Sequence, residues 1–355
     1  MITIMAILFA VSGLAVIPLT GGSADAADGS EEVKMTNSVG TTVTFSEPAQ
    51  KVASLGLSFT TTLLELGCKE RIVMIDNYSA PPGSGLTELE GVASFPVSTG
   101  EQIAQLLANG EGGFDKNRDV VFIYGYSYHA NAIKAMETLG LKVVTFYPTN
   151  YDMGMDMVNK MGAILGLKEK AGEITYAMQA ATVKYLAEIY NAEVPLDERI
   201  KAAYVSYSGG TLRVGNINSY SVVLMKLAGG INVADDPTMT GSALTSYQVD
   251  DTFFVQQQID VIFLDPYYAG TPDEFRADKN IADDVRIYKL TMIMNQYGPT
   301  SMDGIEFMAT AMYPEVFGEP DDDGGGGGGD DKMIYIAAVA VVISVIAVAY
   351  VALRR

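Results

Sequence analysis

The chain has 355 residues, 48% of them hydrophobic and 19% charged, which excludes intrinsic disorder and supplies enough length for more than one domain. With 43 acidic against 23 basic residues the net charge is -20, a surface that repels phosphate backbones and excludes nucleic acid as a partner. One cysteine, Cys68, and one histidine, His129, exclude an intramolecular disulfide framework, a cysteine-rich zinc site and any site built from several histidines.

The first segment, Ile2 to Leu19, is apolar and runs into Ser23-Ala-Asp-Ala-Ala27. Ala24 and Ala26 match the small-x-small pattern of a secretory cleavage site, so a signal peptide is expected over 1–26, although no Lys or Arg precedes the apolar run. In the first half of the body, Lys51–Leu55, Arg71–Ile75, Asp119–Tyr124 and Lys142–Tyr147 are apolar runs that read as strands. Phe59–Leu66, Glu101–Leu107 and Asn131–Leu139 read as helices between them, the last stopping at Gly140. Apolar β-branched runs alternating with helices predict a largely parallel sheet covered on both faces. Lys168 to Ala192 carries Ile174, Met178, Ala181, Tyr185 and Ile189 at steps of three and four, an amphipathic helix about 37 Å long that Pro195 ends.

The second half repeats the rhythm. Ala202–Tyr207, Asp260–Leu264 and Arg286–Leu290 read as strands; Ser221–Leu227, Thr252–Gln257 and Gly304–Met312 read as helices. The fold class expected is α/β: an N-terminal lobe over 33–150, a helical segment over 151–195 with the interlobe helix, and a C-terminal lobe over 196–320. Ligands of open α/β sheets bind beyond the carboxyl ends of the strands, so two such lobes predict a cleft between them. After the body come Asp321–Asp323, the glycines Gly324–Gly329 and Asp330-Asp331-Lys332, a flexible Asp/Gly linker over 321–332. The run Met333–Leu353 is uncharged and, at about 31 Å as a helix, long enough to span a hydrocarbon core. Arg354 and Arg355 follow it, which orients the body to the outer face of the membrane.

The segments Val39-Gly-Thr-Thr-Val-Thr-Phe45 and Val52-Ala-Ser-Leu-Gly-Leu-Ser58, with Leu64-Glu-Leu-Gly67 and Arg71-Ile-Val73, resemble the opening of the solute-binding proteins of ABC importers for ferric siderophores, haem and vitamin B12. Arg213-Val-Gly-Asn-Ile-Asn-Ser219, Leu227-Ala-Gly-Gly-Ile-Asn-Val-Ala234 and Asp260-Val-Ile-Phe-Leu264 resemble that family's second lobe. The resemblance spans about Val33 to Pro320. It implies two lobes braced by one helix, a metal chelate or corrinoid as cargo with no cofactor, and an ABC permease with its ATPase as partners. It also implies that an acidic residue on each lobe docks onto the permease. Glu101 matches the first; the second falls on Thr252, with Asp250 and Asp251 beside it. The family's glutamate in the first helix falls on Thr61.

Position after strand ends names the ligand-contact candidates. In the first half they are Leu57 and Ser58, Asn77 and Tyr78, the stretch Tyr124, Gly125, Tyr126, Ser127, Tyr128 and His129, and Tyr147. In the second half they are Tyr207 and Ser208, Arg213, Asn218, Tyr267, Tyr268, Asn295, Gln296 and Tyr297. Tyrosines offer flat apolar faces with a polar tip, which suits a bulky planar or chelated ligand. Arg213 is a candidate partner for a carboxylate or hydroxamate oxygen and His129 a candidate axial ligand to cobalt or haem iron. Each also has a structural reading: tyrosines packed on a lobe surface, a helix-capping histidine, a surface arginine. Two rival functions compete. A hydrolase would have to use His129, yet no G-x-S-x-G elbow and no phosphate-binding glycine loop is present. A surface adhesion protein of the same fold is compatible with Thr252 at the docking position.

Overall fold

A computed structural model describes residues 32–37, 40–81, 83–208, 210–239 and 244–320. The expected signal peptide (1–26), Asp/Gly linker (321–332) and transmembrane helix (333–353) lie outside the described residues, as do Gly209 and the side chain of Ser208. Among the described residues, no helix is long and apolar enough to cross a membrane.

The body opens with an antiparallel hairpin of β1 (Val33–Thr36) and β2 (Thr42–Phe45). Asn37 fastens it to the first sheet: its Nδ2 donates to Val143 O at 2.8 Å and its Oδ1 accepts from Thr145 N at 3.0 Å. That sheet is wholly parallel. Its elements are β3 (Val52–Leu55), α1 (Leu57–Glu65), β4 (Ile72–Asp76), β5 (Ala93–Phe95), α2 (Gly100–Ala108), β6 (Val120–Tyr124), α3 (Ala130–Thr138) and β7 (Lys142–Phe146), with strand order β5-β4-β3-β6-β7. β3 lies at the centre with all its residues buried, which is why it reads as an unbroken apolar run. The two faces follow the pleat. Val52, Val120, Phe122 and Val144 face one core, while Ala53, Leu55, Val121, Ile123 and Val143 face another closed by Ile103, Leu107, Ile133 and Met136 of α2 and α3. Asp119, fully buried, accepts from the backbone N–H of Gln50 and Lys51 at 3.0 Å each and pairs with Arg118, fixing where β3 and β6 begin.

Helix α4 (Tyr151–Leu165) starts at Asn150, whose Oδ1 accepts from Met153 N at 2.8 Å, and stops at Gly166. Helix α5 (Lys168–Asn191) is the long helix expected over 168–192; Ala171, Ile174, Met178, Tyr185 and Ile189 are its buried face. It packs on α4 and also on α6 (Tyr220–Leu227) and α9 (Ser301–Met312) of the second half, so it bridges the two.

The second sheet is more mixed than the mostly parallel sheet expected. Its strands are β8 (Lys201–Ser208), β9 (Thr211–Gly215), β10 (Ile231–Asn232), β11 (Ser246–Gln248), β12 (Val261–Leu264) and β13 (Arg286–Lys289), in the order β11-β9-β8-β12-β13, with β10 also on β8. β8, β12 and β13 run parallel, but β9 returns antiparallel to β8 and β11 is antiparallel to β9. The register pairs Ser208 with Thr211, so the chain reverses directly between these two strands. The stretch holding Arg213 is therefore a strand rather than a loop. Helices α7 (Thr252–Gln256), α8 (Pro272–Lys279) and α10 (Pro314–Phe317) complete the body. α8 carries a reciprocal cap between Thr271 and Glu274.

Candidate functional site

The candidate site grows from the turn between β3 and α1. Gly56 is required there by close approach: a Cβ on it would sit 2.6 Å from the Tyr124 ring. The tight turn places Ser58 in the first turn of α1, fully buried. Tyr124 OH donates to Ser58 Oγ at 2.7 Å, Ser58 Oγ donates to Gln296 Oε1 at 3.1 Å, and Tyr297 N donates to Ser58 Oγ at 3.1 Å. One hydroxyl thus ties the end of β6 to the segment after β13.

The aromatic residues continue outward from this node. Tyr124 stacks on Tyr126 with ring centroids 5.1 Å apart, and Tyr126 stacks on Tyr128 at 5.2 Å. Tyr147 meets Tyr126 edge-on at 5.1 Å. His129 lies against the Tyr128 ring at 4.4 Å, and its Nδ1 donates to the Tyr124 carbonyl at 3.0 Å. Burial lowers the His129 pKa against that hydrogen bond, so the ring is neutral at pH 7 and Nε2 carries the free lone pair. Tyr78 meets Tyr267 of the second half edge-on at 6.3 Å, and within the second half Tyr297 packs against Tyr220 at 4.3 Å. Burial raises the phenol pKa of Tyr126, with Tyr297, Tyr128 and Tyr147 adding to it, so Tyr126 presents a neutral hydroxyl.

Two carboxylates border the cluster. Asp76, the last residue of β4, is buried and accepts from Ser79 N at 3.1 Å and Ser79 Oγ at 2.5 Å. Ser79 continues through Thr60 (2.9 Å) to Ser54 (2.8 Å). Burial raises the Asp76 pKa against the Ser79 hydrogen bonds. Asp265, directly after β12, accepts from the Tyr204 hydroxyl and, through Oδ1, from Tyr267 N at 2.8 Å. Asn295 donates to Tyr204 OH at 3.1 Å and accepts from Ser221 at 2.8 Å, so its amide is occupied by this network. Sequence reasoning did not single out Asp76, Tyr204 or Tyr220. The signal for Asp76 was the same strand-end position that singled out its neighbours.

The structure brings Ser58, Tyr78, Tyr124, Tyr126, Tyr128, His129, Tyr147, Tyr267 and Tyr297 into this contact system, with Ser127 exposed beside them. Of the other candidates, Gln296 joins it through Ser58 and Asn295 through Tyr204, whereas Tyr207, Tyr268, Arg213 and Asn218 make their contacts elsewhere. Tyr207 packs on Tyr268 at 5.3 Å, Tyr268 meets Phe275 of α8, and Lys279 lies over the Tyr207 ring. Arg213 donates from Nε to Ser246 Oγ and from its terminal nitrogen to Ser246 O, joining β9 to β11. Asn218 donates to Met239 O and Leu244 O. Glu101 is exposed in the first turn of α2; Asp250 accepts from the N–H and hydroxyl of Thr252, and Asp251 pairs with Lys279 at 3.2 Å. A separate cavity of about 1070 Å³ opens at the other end of the second sheet, where Lys201, Asp260 and Val285 begin or precede their strands. Among the described residues there is no cluster of His, Cys, Asp and Glu able to hold a bare metal ion.

No protein-family model matches this sequence, and no curated protein matches it. Solved structures do. A periplasmic solute-binding protein from Veillonella parvula superposes with a TM-score of 0.62 at 19% identity, covering 81% of this chain and 88% of its own. A periplasmic heme-binding protein from Pseudomonas aeruginosa gives 0.58 at 18% identity, covering 75% and 94%. An ABC-type Fe3+-hydroxamate transport system protein from Saccharomonospora viridis gives 0.55 at 19% identity, covering 81% and 99%. The described body therefore has the two-lobed fold of the periplasmic solute-binding proteins of ABC transporters.

Proposed function

We propose that this chain is the extracytoplasmic solute-binding component of an ABC importer, capturing an intact metal chelate (ferric siderophore, haem or corrinoid) between its lobes and delivering it to a permease. One observation carries the reading. Tyr78, after β4, meets Tyr267 of the second half and Tyr297 N bonds Ser58, while the tyrosines at the carboxyl ends of β6 and β7 cluster beside a neutral histidine, in a fold whose structural neighbours are binding proteins rather than enzymes. Stacked phenol faces with a bare imidazole nitrogen suit a large ring or chelate with an open coordination position. In this reading Glu101 and the Asp250–Asp251 pair face the permease. The signal peptide exports the body, and the run 333–353 anchors it at the outer face of the membrane, the linker 321–332 acting as a leash.

The test is a thermal-shift screen of the full-length chain against cobalamins, cobinamide, ferric hydroxamates, ferric catecholates and hemin. A true cargo stabilises the native state by about 2.7 kcal/mol at a hundredfold excess over Kd. Absence of a shift with every chelate rejects the proposal.

A further inference from the structure

The loops that leave the carboxyl ends of β3, β4, β6, β7, β12 and β13 are residues 56–58, 77–92, 125–129, 147–150, 265–271 and 290–300. None of them contains a lysine or an arginine, although the chain has 23. The basic groups nearby in sequence are occupied elsewhere. Arg213 is held by Ser246, Lys279 by Asp251 and Asp278, and Lys289, the last residue of β13, donates to the Gly270 carbonyl at 3.4 Å. What these loops and strand ends do carry is negative charge and ring faces. Asp76 is 3% exposed at the floor, and Asp265 lies on the opposite side next to Tyr267. Burial pushes the Tyr267 phenol up to about 12, and Tyr78, Asp265 and Asp76 add to the rise, which places both carboxylates within electrostatic reach of one ring. Around them four rings stay uncovered: Tyr128 is 74% exposed, Tyr78 59%, Tyr267 57% and Tyr147 47%.

An anionic cargo entering here would meet the Asp265 carboxylate, the field of the buried Asp76 and the negative π-faces of tyrosines, with no lysine or arginine in these loops to receive it. A cationic cargo meets the opposite: ring faces attract it, the carboxylates complement it, and the field of a chain with net charge -20 steers it inward. We propose that the cleft selects a bulky solute bearing net positive charge and discriminates against anionic chelates of the same size. This inference rests on the solute-binding reading above and narrows its cargo to one charge class.

The experiment compares ligands that differ in charge and little else, on the full-length chain, by tyrosine-emission quenching at low salt. One series is ferrioxamine B, with its free ammonium, against its neutral N-acetyl and anionic N-succinyl derivatives. A second pair is aquocyanocobinamide against dicyanocobinamide, cationic against neutral. The expected order is cationic over neutral over anionic, with about tenfold or more between the extremes. The preference should shrink as salt is raised. Asp265→Asn, which retains the Oδ1 acceptor for Tyr267 N, should narrow the gap. Asp76→Asn should do the same where its buried network still folds. Equal affinities across a series, or tighter binding of the anionic member, overturn the charge selection and leave the importer reading standing. A gap unchanged in both folded variants overturns the assignment to these carboxylates. Failure of every chelate to bind rejects both readings together.

Discussion

Ser58 joins the halves through a single hydroxyl. It accepts from Tyr124 and Tyr297 and donates to Gln296, and it is fully buried, so water cannot take over these bonds. Ser58→Ala leaves a buried phenol and a buried backbone N–H without their partner, an expected loss of about 2–3 kcal/mol in urea unfolding. His129 gives a second prediction at this scale. Its pKa lies below the ordinary 6.5, so the neutral ring and its bare Nε2 persist as pH falls to that value and are lost only on further acidification. Chelate affinity should stay flat from about pH 8 to 6.5 and then fall, and His129→Ala should flatten the curve. A profile identical in the two proteins removes His129 from the site. Strand-end position made much of the site legible in the sequence, because a parallel sheet delivers every such residue to one edge. Tyr207 lies outside the Ser58–tyrosine cluster for a reason the sequence also contains. It shares parity with Ala203 and Val205, which face the core under α8. Asn218 and Arg213 are held outside it by hydrogen-bond partners more than twenty residues away along the chain, where no local pattern reaches.

At the scale of elements, the corner between α4 and α5 sets two effects against each other. Gly162 lies inside α4, where alanine is favoured by about 1 kcal/mol in propensity. Its added Cβ, however, would fall 2.3 Å from Ala171 Cβ and 3.0 Å from Leu167 O, an overlap that costs about 1–3 kcal/mol. The clash outweighs the propensity, so Gly162→Ala should destabilise by about 1–2 kcal/mol. Gly172, inside α5, has open space around the position of an added methyl, with nothing within 4 Å, and Gly172→Ala should stabilise by about 0.5–1 kcal/mol. Opposite shifts of the two urea midpoints, measured side by side, check the close α4–α5 packing; shifts of the same sign contradict it. The long helix was legible because its period is that of a single buried stripe. The hairpin of β8 and β9 was not, because Gly209-Gly210 reads equally as the end of a strand and as a two-residue turn.

At the scale of the whole molecule, the main core decides how the body unfolds. Chains well beyond 150 residues commonly unfold in stages, each lobe on its own. Here one apolar cluster is continuous from Leu63 and Phe122 of the first half, through Met161, Met178 and Tyr185 of α4 and α5, to Tyr204, Val222, Met308 and Tyr313 of the second. Neither half can expose its share without opening the other's, so the two sheets should lose structure in a single transition. The sequence has no tryptophan, which permits a clean measurement. Phe95→Trp reports on the first sheet and Tyr288→Trp on the second, both positions being half-buried. Their urea curves should superpose on each other and on far-UV circular dichroism. Met178, fully buried in the bridging helix, supplies the perturbation: Met178→Ala should cost about 2–4 kcal/mol and move all three curves together. Separation of the two tryptophan curves, in either background, would show that the lobes hold independent cores and that α5 is a tether rather than a shared wall.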